Sequence, residues 1–447
     1  MSRPMSAEAF GTEKTSRILL KMAPPVMLAQ LIQALYNIVD SYFVGKFSGD
    51  ALTALSVIYP LQLLITALSV GTGTGVNALM ARRYAHKDAE KADRTGGMGI
   101  LLAGAMWAVF AMLSLFILKP FVNVSSNSQQ VREYAMTYGA IVCVGSLGTF
   151  LESCFSKIHQ AQGNMKLPTA AQIAGAAVNI VFDPLLIFGI GPFPKMDVAG
   201  AALATVLGQF TAAVITGIKG MRKPPKPAQY KYYTAPIYRY AFPSILMQFL
   251  FVVYILALNI ILAGFSDAAV TVLGLYYKLQ SFFFIPLMAL QTCIVPVLSY
   301  NYSRCSYDRC RAIMRESLVF SAGFMLLGVF CFEVLPAQLI RIFSQSSEVL
   351  SLGVPAFRII GASFLPAAAS LMMPTFFQAV GAMRQSSALA LIRQVFCLIP
   401  IFWGLSFFGV GYTWFAFPAA ETITGTVGFI LYFREVRRWK DKAQKNQ

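Results

Sequence analysis

Long apolar runs, rather than short amphipathic periods, set the pattern of this chain. Stretches of roughly 20 or more residues fall near 18–44, 51–80, 96–118, 134–157, 167–191, 198–218, 240–264, 269–300, 317–340, 349–381, 386–408 and 411–433. Short polar, Gly/Pro-bearing or basic segments separate them. A helix of about 20 residues crosses the hydrocarbon core of a bilayer, and backbone groups there find no water to bond, so such runs form helices. The pattern predicts an all-α polytopic membrane protein with twelve transmembrane helices. The 349–381 run is long enough to be bent or interrupted. Residues 1–17 are polar, and the first apolar run is long enough to span rather than be cleaved, so no removable signal peptide is expected.

Composition agrees. Hydrophobic residues make up 57% of the chain and charged residues 12%, about half the roughly 25% of soluble domains. The 36 Lys and Arg residues test the span count. With both termini cytoplasmic, 28 of them fall on the cytoplasmic side, including Arg82, Arg83, Lys87, Lys91 and Arg94 after the second run and Arg304, Arg309, Arg311 and Arg315 after the eighth. Six fall outside: Lys46, Lys119, Arg132, Lys195, Arg341 and Arg358. Lys278 and Arg393 lie within spans. This asymmetry is a strong positive-inside signal. The net charge of +17 therefore reads as topology plus attraction to anionic membrane lipids, with no nucleic acid needed to explain it. Seven cysteines show no paired external framework, and two histidines make a metal site improbable.

Residues 219–238 form a basic, Pro-rich cytoplasmic linker that divides the chain into lobes 1–218 and 239–447, six spans each, the second ending in a basic tail. The lobes match at an offset of 218 residues: Pro25, Leu28, Gln30, Ser48, Ala51, Thr53, Leu55, Tyr59, Leu61 and Gln62 find the same residue type at 243, 246, 248, 266, 269, 271, 273, 277, 279 and 280. An even number of spans per half makes the repeats parallel, and substrate sites of such transporters lie between repeats.

Within this apolar background two carboxylates stand out, Asp40 and Asp183. Gln30, Gln33, Asn37 and Asp40 form one polar stripe on the first span, and Gln172, Asn179 and Asp183 another on the fifth, with Gly175 and Ala176 filling the missing turn. An ionisable group inside a span is costly and usually lines a bundle interior or a water-filled path. An Asp that is wet in one conformation and dry in another changes its proton affinity, which is what coupling a proton to a conformational change requires. Tyr36, Tyr138, Thr205 and Gln209 are candidates to line the same cavity. In the second half, Lys278 beside Tyr277 and Gln280, Arg393 beside Gln394, and Glu421 are the embedded polar groups. They serve substrate binding, or Lys278 and Glu421 pair as structural glue. Glu152 and Glu333 read as snorkelling at span ends.

The run PPVMLAQLIQALYNIVDSYFVGKFSGDALTAL with Pro25 and Asp40, VNIVFDPLLIFG with Asn179, Asp183 and Pro184, and GAALAT at 200–205 resemble the MATE (multidrug and toxic compound extrusion) transporters, along essentially the whole chain. The resemblance implies a two-lobe, non-enzymatic exporter without cofactors, which takes up protons or sodium and expels organic, often cationic, compounds. Carried over residue by residue, Asp40, Asn179 and Asp183 match the amino-lobe cation-coupling site, with Tyr138 and Thr205 beside them and Asn37 tuning Asp40. The sodium-coupled branch carries acids in its seventh and eighth helices, where this chain has Gln248, Asn259 and Lys278; that favours protons, as in the DNA-damage-inducible branch. The expected protein is a monomeric antiporter of the plasma or bacterial inner membrane. A flippase for a lipid-linked, polyprenyl-phosphate sugar is the alternative, and only Lys278 and Arg393 offer it a basic cavity. A passive channel or receptor is disfavoured by the duplication.

Overall fold

The computed structural model describes residues 8–126, 128–344 and 346–445, with side chains as far as Trp439. Among them every regular element is helical. The first seven residues and the last two, with the basic tail side chains beyond Trp439, lie outside that description. Ten helices are long and apolar enough to span a membrane, and two bent helix pairs supply one span each, giving twelve. In order they are Thr15–Phe47, Gly49–Ala85, Ala89–Ser125, Gln129–Ala161, Lys166–Phe188, Asp197–Gly220, Tyr230–Ala263, Asp267–Phe283 with Ile285–Ser303, Tyr307–Val334, Ser347–Gly361 with Phe364–Val380, Met383–Ser406 and Ala416–Lys445. The tenth span is interrupted as its length predicts, bending by 54°. The eighth bends by 53° at Phe284, which the apolar run 269–300 concealed. The fourth breaks at Ser146, whose hydroxyl bonds the Cys143 carbonyl at 2.7 Å. The eleventh carries a π-helical stretch at Ile392–Leu398.

The 218-residue offset reappears in the backbone. Ser48 caps the second span by accepting from the Ala51 N–H, and Ser266 caps the eighth by accepting from the Ala269 N–H. Ser128 and Ser346 cap the fourth and tenth in the same manner, through Val131 and Val349. Left-handed residues recur at the same spacing: Lys87 at φ 59° with Cys305 at 56°, Gly163 at 84° with Gly381 at 88°, and Gly191 at 70° with Gly409 at 117°. The duplication thus survives in caps and turns, where local geometry restricts the choice of residue. Replacing Ser48 or Ser266 by alanine should cost about 1 kcal/mol each, read as two similar drops in thermal midpoint in detergent.

Contacts divide the chain into two compact units, one holding Pro24–Gln248 with the segment before Glu13, the other Glu13–Ala23 with Phe249 onward. The divisions at Ala23/Pro24 and Gln248/Phe249 fall inside helices, the first and seventh spans. In the first unit the basic segment after Gly220 is docked: Arg222 Nε donates to Asp93 Oδ1 at 2.9 Å, and a Cβ at Gly97 would meet the Lys223 carbonyl oxygen at 2.2 Å. The start of the seventh span lies on the second, where Gly75 leaves room for the Ile237 carbonyl and Ala241. Arg83 and Arg82 sit over the rings of Tyr233 and Tyr240 at 4.5 and 4.8 Å. In the second unit the start of the first span is tied down by Thr15 Oγ1 donating to Glu316 at 2.7 Å and by Arg309 donating to the Glu13 carbonyl at 2.6 Å. Its core is aromatic, with Phe332 stacked on Phe357 at 5.0 Å and Phe283 and Phe364 at its edges.

Candidate functional site

Five spans of the first unit bring polar side chains to one buried place. Asp40 from the first span is 9% exposed, and Asp183 from the fifth is fully buried. The two acids lie within electrostatic reach of each other. Four residues before Asp183, one turn down the helix, the Asn179 amide bridges to the sixth span. It donates to Asp183 Oδ1 and to Thr205 Oγ1, both at 3.4 Å. Turned over, it donates to Asp183 Oδ2 and accepts the Thr205 N–H, both at 3.2 Å, which pairs donor with acceptor at each end. Tyr36 stands within electrostatic reach of both acids. Tyr138 from the fourth span is buried near Asp40 and accepts a hydrogen bond from Gln62 Nε2 of the second at 3.2 Å.

The fifth and sixth spans meet without side chains at this level. A Cβ on Gly175 would lie 2.6 Å from the Gly208 carbonyl oxygen, and one on Gly208 the same distance from that of Gly175. The gap in the polar stripe at Gly175 is therefore a backbone-to-backbone crossing, which sets Asn179 against Thr205. One acceptor is left over: Asp40 Oδ1 is buried without a partner. Among the described residues no group of His, Cys, Asp and Glu could hold a metal ion.

The MatE family model matches residues 25–185 and again residues 243–403, two segments of equal length separated by the same 218 residues. The chain belongs to the MatE family. It is 24% identical to "FAD transporter" of Shewanella oneidensis, over 86% of this chain and 87% of that one. It is also 24% identical to "Multidrug export protein MepA" of Staphylococcus saprophyticus, over 98% of each. Its fold matches a solved multidrug resistance MATE family transporter of the MOP superfamily in the outward-facing conformation with a TM-score of 0.90, covering 98% of this chain and all of that one, at 18% identity. MatE proteins are transporters, not enzymes.

Not every candidate joins this MatE site. Gln33 and Asn37 are exposed, and Asn37 makes no hydrogen bond to Asp40. Gln209 lies one turn beyond Thr205, its amide oxygen buried and unpartnered. In the second unit, Arg393 gives its donors to Glu421, through Nε at 3.0 and 3.1 Å and a terminal nitrogen at 2.6 Å, and Ser370 adds a further bond to the same carboxylate. The glue is Arg393–Glu421 and not Lys278–Glu421. Lys278 is exposed, with its ammonium 5.8 Å from the Phe343 ring. Tyr277 packs on Tyr254 and Tyr276 at 6.1 and 5.1 Å, and Gln280 is half-buried. Glu333 is exposed, as a snorkelling group would be, but Glu152 is not: it accepts hydrogen bonds from Ser156 and Gln172 inside the first unit. Sequence reasoning left Gln62 out of the site. Its match with Gln280 across the repeat, as an amide inside an apolar run, was the signal available.

Proposed function

We propose that this chain is a secondary antiporter that exports amphipathic organic cations in exchange for protons, carried inward on the Asp40–Asp183 pair. The carrying observation is the burial of two acids within electrostatic reach of each other, with no cation acting on either of them among the described residues. Two ionised acids at that separation repel, and a proton between them holds them together. Loading and unloading the pair therefore biases the packing of the first, fifth and sixth spans. Each proton supplies about 1.4 kcal/mol per pH unit and about 2.3 kcal/mol per 100 mV of membrane potential, enough for modest uphill export.

The relatives' names carry two kinds of cargo, drugs and a phosphate-bearing dinucleotide. A phosphate, on FAD or on a lipid-linked sugar, needs an available interior cation. Here Arg393 is neutralised by Glu421, which supports a cationic or neutral cargo. The seventh and eighth spans offer no buried carboxylate among their described residues, which supports protons over sodium. We place the protein in the plasma or bacterial inner membrane, as a monomer with both termini cytoplasmic and its basic face on anionic lipid.

The test is export of a cationic dye from proteoliposomes driven by a pH gradient, with and without sodium. The Asp183→Asn variant should insert normally and show no pH-driven export. Full export by that variant at normal protein level, or export driven by a sodium gradient alone, overturns the proposal.

A further inference from the structure

Glu152 lies outside the site described above. It sits nine residues before its helix ends at Ala161, about 14 Å inside the helix. Its Oε1 accepts from Ser156 Oγ at 2.6 Å and from Gln172 Nε2 at 3.3 Å. Gln172 is the inner member of the stripe that continues through Asn179 to Asp183, eleven residues and about 16 Å away along the helix. A tie between the fourth and fifth spans needs no charge. Glutamine at 152 would serve both bonds without the cost of desolvating a carboxylate.

A second line of polar groups leads from the outer acids to this one. Asn179 bonds Thr205, and Gln209 is the next turn of the sixth span. The Gln209 backbone lies against Gly148, where a Cβ would come 3.1 Å from Gln209 Cβ and 2.9 Å from the Phe210 nitrogen. Glu152 is the next turn of the fourth span after Gly148. Along this line Gln209 Oε1 is buried and bonds nothing, and Asp40 Oδ1 stands in the same condition at its outer end. An unsatisfied buried acceptor costs about 1–3 kcal/mol, so such atoms mark where donors enter. The groups facing Glu152 leave it as the acid of this region. Lys157 on its own helix is the charge that acts on it. The fifth span presents Gln172, the sixth meets the helix through Gln209 at Gly148 one turn away, the second places Asn77 on the Lys157 carbonyl, and the third meets the helix at Cys154. His159, further along the same helix, is held on the Thr216 carbonyl at 2.9 Å.

We propose that Glu152 is the inner proton acceptor of the first unit: a proton released by the Asp40–Asp183 pair passes beside Thr205 and Gln209 to Glu152 and leaves past Ser156. The inference rests on the reading of the outer pair as proton-loaded. The balance is simple. An Asp O–H breaks, a Glu152 O–H forms, and Glu152 then loses that proton to water at the inner face, restoring its carboxylate. Hydroxyls and water, which both accept and donate, carry the proton, while the amides of Asn179, Gln209 and Gln172 hold the file in register. The proton thereby leaves through the helices of one unit and does not share the substrate's route.

Full-length protein in proteoliposomes tests this, with an internal pH dye and a cationic dye as probes. Glu152→Gln should keep dye binding at fixed pH, and dye–dye counterflow, at wild-type levels. Dye-stimulated proton flux should fall about a hundredfold, the low end of what a positioned proton-transfer group contributes, and Glu152→Asp should restore part of it. Proton flux retained by Glu152→Gln but lost by Asp183→Asn overturns the relay and leaves the antiport reading standing. Flux retained by Asp183→Asn overturns the antiport reading itself. Equal loss of binding, counterflow and flux in Glu152→Gln makes the residue structural and also overturns the relay.

Discussion

Arg393→Leu should cost about 3–5 kcal/mol of stability, because it leaves Glu421 buried and uncompensated. The carboxylate is 6% exposed, and its partners in the structure are Arg393 and Ser370. A single hydroxyl does not replace a guanidinium that binds through two nitrogens. The double variant Arg393→Leu/Glu421→Leu should recover most of that loss, since replacing a whole buried ion pair by apolar residues is often neutral or stabilising. Thermal unfolding of the two variants in detergent gives the comparison. A single variant as stable as the parent would mean that Glu421 is already solvated or neutral. The double variant also separates two roles. A clamp between the eleventh and twelfth spans is dispensable for export once both charges are gone, whereas an anion-binding Arg393 is not.

The halves thus treat charge differently on equivalent helices. At the 218-residue offset, Arg393 and Glu421 correspond to Gly175 and Leu203, on the same two helices that carry Asn179, Asp183 and Thr205 in the first half. Where the first unit crosses its helices at bare backbone, the second inserts a guanidinium with its counter-ion, and the helix there loosens into a π-turn. Such insertions are most frequent where function or strain has displaced regular packing. The buried carboxylate of the second half comes with a tethered cation, and the buried acids of the first half have none. The proposed antiport therefore assigns ion coupling to the first unit alone.

The spans and the duplication were legible because both are one-dimensional. Apolar length marks a span, and an offset needs no fold to be seen. The aspartates were legible for the same reason, each being a charge where the run around it is apolar. What failed to show were the partners. Glu152 reads as terminal if the fourth span is ended at residue 157, yet the helix runs to Ala161 and carries the carboxylate inward. On sequence grounds Glu421 pairs with Lys278, a base in the same half; the packing of the eleventh span on the twelfth gives it Arg393 instead. The bends at Ser146 and Phe284 left no mark, since apolar composition continues through a bend as readily as through a straight helix.

Gly208→Leu should damage both the stability of the first unit and its export. Even the first carbon of a side chain there would lie 2.6 Å from the Gly175 carbonyl oxygen and 3.2 Å from Asn179 Cβ. Backbone on the far side cannot rotate away as a side chain could, so the two helices must separate. Overpacking of this kind costs about 3 kcal/mol at the upper end of its usual range. Separation also stretches the Asn179–Thr205 bridge, already at 3.4 Å, and removes the constraint that aims Asn179 at Asp183. Two readouts should therefore move together, the thermal midpoint and pH-driven export. Gly208→Ala should lower both by less, and Gly104→Ala, where a Cβ meets nothing within 4 Å, should lower neither. Wild-type export by Gly208→Leu at normal protein level would mean that the close crossing of the fifth and sixth spans is not what positions the acids.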